Sequence, residues 1–119
     1  MAYVKVATLD EVQVGATRLA ELAEPVCLVR TDPDTVKAVH DTCSHQQYSL
    51  CEGWVDLDSA GGGGAVECAL HGSTFDLDTG RPDSLPAVRP IPVYACKLDD
   101  GAVWVDLDQQ LNDAPVPRH

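Results

Sequence analysis

The sequence has few aromatic residues, few positive charges and no long apolar run. Aromatic side chains make up 5% of its 119 residues, and 8 Lys and Arg stand against 19 Asp and Glu, a formal net charge of −11. So acidic a chain is repelled by phosphate backbones and by anionic lipid. No apolar stretch approaches the roughly 18 residues that cross a bilayer, and the amino terminus lacks the pattern of a secretion signal. We therefore expect a cytoplasmic protein that binds neither nucleic acid nor membrane.

The cysteines do not form the pattern of a disulfide-stabilised domain. They number five, at positions 27, 43, 51, 68 and 96, and an odd number without a secretion signal indicates reduced thiols or metal ligands. Cys27 and Cys96 lie inside apolar runs and are interpreted as small buried core residues. Cys51 is interpreted as a bystander thiol that is open to oxidation.

Short apolar runs separated by Gly, Pro and Asp indicate an all-β domain with many turns. The runs are "YVKVA", "PVCLVR", "TVKAVH", "GWVDLD", "AVECAL", "STFDLD", "VYACKL" and "AVWVDL". The turn sequences "TDPD" and "DDG" predict two hairpins. The segment 9–22 fits either a helical turn or a strand. The glycine-rich segment Ser59–Gly64 is predicted to be a loop tip, and the tail from Asn112 is predicted to be frayed.

Two cysteines and two of the four histidines fall in two tight pairs at the ends of predicted strands. Cys43 and His45 form "CSH", Cys68 and His71 form "CALH", and 22 residues lie between the pairs. A zinc site also uses thiolate and imidazole, so the composition alone does not exclude zinc. Zinc sites usually pair Cys with Cys and His with His, however, and each pair here is mixed. Two such loops can place both thiolates on one iron and both imidazoles on the other, as in a Rieske [2Fe–2S] centre.

With these motifs and the segment "RPIPVYACKLDDGAVWVDL", the chain resembles the Rieske-type ferredoxins of bacterial ring-hydroxylating dioxygenase systems. The resemblance implies one domain over residues 1–119, an antiparallel β-sandwich with an inserted cluster-binding subdomain at about residues 42–88. It implies one [2Fe–2S] cluster per chain, bound by Cys43, His45, Cys68 and His71, with Leu85 and Pro86 covering it. The implied role is one-electron transfer, without catalysis by the chain itself. An NAD(P)H-dependent flavoprotein reductase would supply the electron, and a terminal non-haem iron oxygenase of aromatic hydrocarbon catabolism would accept it.

Departures from the respiratory Rieske pattern narrow the expectation. Respiratory members join their two loops by a disulfide, and Tyr48 and Leu70 stand at the corresponding positions here. Those high-potential proteins also use a serine and a tyrosine to donate hydrogen bonds to sulfur, which raises the potential. Ser73 keeps the first hydroxyl and Phe75 lacks the second. We therefore predict a midpoint potential in the low part of the Rieske range.

Three other functions remain open at this point. The chain could be an accessory ferredoxin in iron–sulfur assembly or redox sensing, the small subunit of a nitrite reductase, or a structural zinc protein.

Two residues near the motifs receive structural interpretations. His40 is taken as a surface histidine at a strand end in preference to a group that supports a ligand, and Trp54 as a core or sheet-face residue.

Overall fold

The structure, a computed structural model, describes residues 3–43, 49–57, 64–69, 74–82 and 89–116. The strands are β1 (Val4–Thr8), β2 (Thr17–Glu21), β3 (Pro25–Asp32), β4 (Thr35–His40), β5 (Trp54–Asp56), β6 (Ala65–Glu67), β7 (Thr74–Asp76), β8 (Val93–Asp99) and β9 (Ala102–Gln110). Two short 3₁₀ helices, Leu9–Glu11 and Leu50–Glu52, are the only helical elements in these ranges. Within the same ranges no helix is both long enough and apolar enough to cross a membrane. The predicted all-β class is confirmed.

The strands form two antiparallel sheets. The larger sheet has six strands in the order β1-β9-β8-β4-β3-β2, and the smaller has three in the order β5-β6-β7. All three strands of the smaller sheet come from the chain between β4 and β8, which pair with each other in the larger sheet. The smaller sheet is therefore an insertion, in sequence, between two neighbouring strands of the larger one.

Both predicted hairpins are present. Strands β3 and β4 are joined through residues 33–34, where the side chain of Asp32 accepts a hydrogen bond from the backbone N–H of Asp34 at 2.8 Å. Strands β8 and β9 are joined by Asp100 and Gly101, whose φ angles are 53° and 73°. Two successive positive φ values match the twist of the flanking strands, and the Asp-Gly pair adopts them at low cost.

Alternation along β3 divides the interior into two hydrophobic clusters. Cys27 and Val29 point to one side, and Val26 and Leu28 to the other, because successive side chains of a strand face opposite ways. The first side belongs to the insert-side core, which comprises Cys27, Val29, Val39, Cys43, Leu50, Val66, Cys68, Phe75, Leu77, Ile91 and Val93. The second belongs to the main core, which comprises Ala7, Val12, Ala20, Val26, Leu28, Val36, Ala38, Tyr94, Val103 and Val105. One face of the larger sheet therefore packs against the insertion. The other face lines the main core, which is formed mainly by residues of the larger sheet itself.

The expectation of a frayed tail is wrong for residues 112–116. The side-chain oxygen of Asn112 accepts a hydrogen bond from the backbone N–H of Val93 at 3.0 Å. Its amide nitrogen donates to the carbonyl oxygens of Thr79 and Ile91 at 2.8 and 2.9 Å. Ala114, two residues further on, is buried. One asparagine therefore fastens the end of β9 to the turn after β7 and to the start of β8, an arrangement with no periodic signal in the sequence.

Candidate functional site

The two cysteines of the paired motifs lie in the same buried cluster. Cys43 follows the end of β4 and is 2% exposed, and Cys68 follows β6 directly and is 1% exposed. Both belong to the insert-side core, among Leu50, Val66 and Phe75. His45 and His71, together with Ser73, Leu85 and Pro86, lie outside the described residues. The described half of the predicted ligand set is therefore brought into one core.

The buried carboxylate of Asp41 forms hydrogen bonds that connect the two ends of the segment that carries Cys43. One oxygen accepts a hydrogen bond from the Ser49 hydroxyl at 2.5 Å, and the other accepts one from the backbone N–H of Cys51 at 2.9 Å. The backbone of Asp41 adds two bonds, one to the carbonyl of Pro25 and one from the N–H of Leu50. A buried carboxylate is stable only when its oxygens are satisfied in this way. Residue 41 is thus held to residues 49–51. The sequence analysis does not predict this role of Asp41.

His40 supports the same segment from the end of β4. Its side chain is 2% exposed, and its Nδ1 accepts a hydrogen bond from the backbone N–H of Thr42 at 3.1 Å. Because a backbone N–H can only donate, Nδ1 carries no proton and Nε2 carries it. Nε2 lies 2.9 Å from a carboxylate oxygen of Glu24, to which it donates. The interpretation of His40 as a surface histidine is wrong, since the ring is buried and orients the chain next to Cys43.

A glycine brings the two cysteine-bearing segments into contact. A Cβ atom placed on Gly53 would lie 1.7 Å from the carbonyl oxygen of Glu67 and 3.2 Å from the backbone nitrogen of Ala69. These two residues flank Cys68, and Trp54 pairs with Glu67 in the β5–β6 ladder. Only a residue without a side chain allows this approach. The chain that follows the Cys43 segment, at Gly53, therefore packs directly against the residues that flank Cys68.

Apolar side chains complete the surroundings of the two thiols. Phe75 is fully buried on β7, where it pairs with Val66 of β6 and forms a bridge with Pro82. It has no hydroxyl group to offer a sulfur atom, as the sequence indicates. Trp54 is exposed, so it is a sheet-face residue and no part of this core. Two buried cysteines at strand ends, enclosed by aliphatic and aromatic groups, fit the thiolate side of an iron–sulfur cluster, which cysteine thiolates bind.

The sequence is similar to known proteins over most of its length. Residues 2–95 match the family described as the Rieske [2Fe–2S] domain. The chain is 33% identical over 110 residues to the 3-phenylpropionate/cinnamic acid dioxygenase ferredoxin subunit of Photorhabdus laumondii, covering 92% of this chain and 99% of the relative.

Solved structures give the same answer for the fold. The ferredoxin of carbazole 1,9a-dioxygenase from Nocardioides aromaticivorans superposes with a TM-score of 0.80 at 34% identity, covering 88% of this chain and 97% of that one. A chain in the complex of reduced oxygenase and oxidised ferredoxin of carbazole 1,9a-dioxygenase superposes with a TM-score of 0.79 at 31% identity, covering 91% and 94%.

Proposed function

The chain belongs to the Rieske [2Fe–2S] domain family, and we propose that it is a one-electron carrier, the ferredoxin component of a ring-hydroxylating dioxygenase system. The observation that carries the proposal is the burial of Cys43 and Cys68 in one core, in a chain similar over most of its length to dioxygenase ferredoxins. Such ferredoxins are electron-transfer components and not catalysts. The [2Fe–2S] cluster, when bound, supplies a centre that takes up and releases one electron.

We further propose Cys43, His45, Cys68 and His71 as the four ligands. Cys43 and Cys68 provide two thiolates from strand ends that the core holds in place. The spacing of "CSH" and "CALH" gives each thiolate a neighbouring imidazole in its own loop. We also propose that the whole chain is one domain, with residues 42–88 as the cluster-binding subdomain. The position of β5–β7 between two paired strands of the larger sheet supports this division.

The proposed partners are a terminal oxygenase, which accepts the electron, and an NAD(P)H-dependent flavoprotein reductase, which supplies it. The oxygenase is supported by the similar ferredoxin in the carbazole 1,9a-dioxygenase complex. The reductase follows from the resemblance of the sequence to these systems. The net charge of −11 favours docking on more basic surfaces and a rate of encounter that falls with ionic strength. A location in the cytoplasm stays a prediction of the sequence.

The test begins with the purified chain. We expect a red-brown protein with two iron atoms and two acid-labile sulfides per chain, as the family name implies, and no stoichiometric zinc. Cys43→Ser and His71→Ala should each abolish the visible absorption, whereas Cys96→Ser, on β8, should retain it. A colourless protein that holds zinc would contradict the proposal.

The second stage measures electron transfer. The purified protein is mixed with the flavoprotein reductase and the terminal oxygenase of a related dioxygenase system, with NADH as the reductant. We expect product to form only when the ferredoxin is present, at a rate that declines as salt is added. An iron-loaded ferredoxin that the reductase cannot reduce would instead favour the accessory role in cluster assembly or redox sensing.

A further inference from the structure

Cys27 and Cys51 form a thiol pair outside the proposed ligand set. Cys27 lies on β3 and is fully buried, and Cys51 lies in the second 3₁₀ helix and is half-buried. Their sulfur atoms lie within 4.8 Å of each other and of a carboxylate oxygen of Asp41. The two residues are far apart in sequence, so the pair exists only because the fold returns the chain to β3 after the first motif.

The backbone of Cys51 is fixed on both sides. Its N–H donates to the Asp41 carboxylate at 2.9 Å, and its carbonyl oxygen accepts a hydrogen bond from the Thr17 hydroxyl at 2.8 Å. Cys27 lies inside the hydrogen-bonded ladders of β2, β3 and β4. Two thiols on such fixed supports lose little conformational freedom when a bond forms between them. The sulfur atoms, which lie within 4.8 Å of each other, must approach to about 2 Å for a disulfide to form.

The two cysteines differ in their exposure to solvent. The pKa of Cys27 lies well above its ordinary value, because its thiol is hydrogen-bonded to Cys51 and because burial disfavours the thiolate. Cys51 is half-buried, so it is the residue of the pair with exposure to solvent. An oxidant therefore attacks Cys51 first, and Cys27 acts in the second step.

A metal ion suits this group less well than a disulfide does. Both oxygens of Asp41 already accept hydrogen bonds, from Ser49 and from the backbone of Cys51. A structural zinc ion takes four ligands, and the group offers two sulfurs once the carboxylate is committed. The second 3₁₀ helix would lose its side-chain hydrogen bond to Asp41 if the carboxylate turned to a metal.

We propose that Cys27 and Cys51 are an oxidation site that forms an intramolecular disulfide with hydrogen peroxide. Cys51 loses its proton and its thiolate attacks one oxygen of the peroxide; the O–O bond breaks, and the departing hydroxide takes up that proton, so that Cys51 sulfenic acid and one water are formed. The sulfur of Cys27 then attacks the Cys51 sulfur and loses its proton, and the hydroxyl group leaves as a second water. Two thiols are oxidised by two electrons and one peroxide is reduced to two waters. A dithiol reductant restores both thiols by thiol–disulfide exchange and becomes a disulfide itself.

The disulfide would tie the exit of the first motif to the larger sheet. The covalent loop would run from residue 27 to residue 51 and would contain Cys43 and His45. Closing such a loop restricts the unfolded chain, so we expect the oxidised protein to melt roughly 10 °C higher than the reduced protein. The proposal does not depend on the identity of the electron-transfer partners.

The test uses the iron-loaded protein. Samples treated with increasing hydrogen peroxide are unfolded in the presence of an alkylating agent, and their intact masses and peptide maps are measured. We expect the loss of two hydrogen atoms and of two alkylation sites, a peptide that joins Cys27 to Cys51, and unchanged visible absorption. Dithiothreitol should restore both thiols. Cys51→Ser and Cys27→Ala should each remove the link, and Cys96→Ser should retain it.

Three results would overturn the proposal. The first is a Cys51 peptide that gains the mass of oxygen atoms while Cys27 is still alkylated. This result would mean that the two sulfur atoms do not form a bond. Another is a link that appears only after the visible absorption is lost, which would make it a product of cluster damage. The last is stoichiometric zinc that Cys51→Ser releases, which would make the group a metal site. Since the link is sought first in the unsubstituted protein, a variant that fails to fold does not decide the outcome.

Discussion

Gly53→Ala tests whether the contact between the two cysteine-bearing segments holds the site together. The added Cβ would lie 1.7 Å from the carbonyl oxygen of Glu67 and 2.9 Å from its carbonyl carbon, distances that no folded chain tolerates. The two backbones must separate by more than about 1 Å, and the three residue pairs of the β5–β6 ladder begin at this point. Forced separation of packed backbone costs about 3 kcal/mol, a large part of the stability of an ordinary domain.

We expect two effects of Gly53→Ala, a melting temperature lower by roughly 10 °C and less iron bound per chain. The second effect follows because the displaced Glu67 directly precedes Cys68. Both are measured on the purified variant, by a thermal scan and by the ratio of visible to ultraviolet absorption. Melting that releases the cluster is irreversible, so all scans use one heating rate.

The matched control is Gly101→Ala. Gly101 has a φ of 73°, and a Cβ added to it would meet no atom of the described residues within 4 Å beyond its chain neighbours. The substitution therefore costs backbone strain of about 1 kcal/mol without a clash. It should lower the melting temperature by a few degrees and leave the iron content unchanged. If Gly53→Ala behaved like Gly101→Ala in both measurements, the close approach of the two segments would not support the site.

Four further predictions follow from other residues. Because Phe75 has no hydroxyl to donate to sulfur, a redox titration should place the midpoint low in the Rieske range of roughly −150 to +300 mV, and a value well above zero would refute this. Asp41→Ala should lower the melting temperature by roughly 10 °C, since it leaves the partly buried hydroxyl of Ser49 and N–H of Cys51 without their acceptor, and Asp41→Asn should lower it less because one acceptor oxygen remains. The hydrogen bond from Gln109 and the backbone N–H of Asp108 lower the pKa of Asp106 despite its burial. This carboxylate therefore stabilises the fold above its unfolded pKa, and the stability is lost as pH falls through the folded pKa. Asp106→Asn should melt with a weaker dependence on pH below about 4, and an unchanged dependence would contradict the assignment. Burial raises the pKa of Cys96 to about 12, so iodoacetamide at neutral pH should leave it unmodified in the folded protein, and modification as fast as in the unfolded chain would count against this.

The fold could be predicted where the sequence has short apolar runs or turn signals. Strands β3, β4, β8 and β9 coincide with the short apolar runs "PVCLVR", "TVKAVH", "VYACKL" and "AVWVDL", and "TDPD" and "DDG" mark the turns between them. The paired motifs were visible because metal ligands require particular side chains at short spacing. Cys43 and Cys68 then lie in one core, as that interpretation requires.

The supports of the site could not be predicted, because they join positions that are distant in sequence. Asp41 binds Cys51, Gly53 meets Glu67, and Asn112 meets Ile91. Each contact depends on where the fold places a backbone N–H or carbonyl group. Because nearly every residue carries the same backbone groups, residue identity does not indicate which of them will be in contact. His40 was assigned wrongly for a related reason. A histidine at a strand end is usually exposed, and its burial follows from partners on both ring nitrogens, Glu24 and Thr42.

The two cysteine segments are fixed by different means, which matters for electron transfer. Polar side chains anchor the first segment, with His40 and Asp41 each joined to two groups. Backbone contact anchors the second, through Gly53 and the short β6 ladder. Dipoles and charges that are already fixed need not reorient when the charge near them changes by one electron. With the proposed ligands Cys43 and Cys68, a frame of this kind would let the charge on the centre change while their thiolates stay in place, which is what a carrier that is oxidised and reduced in turn requires. Asp41→Ala should therefore slow electron exchange even in the fraction of protein that keeps its iron, because a loosened first segment must reorganise at each transfer.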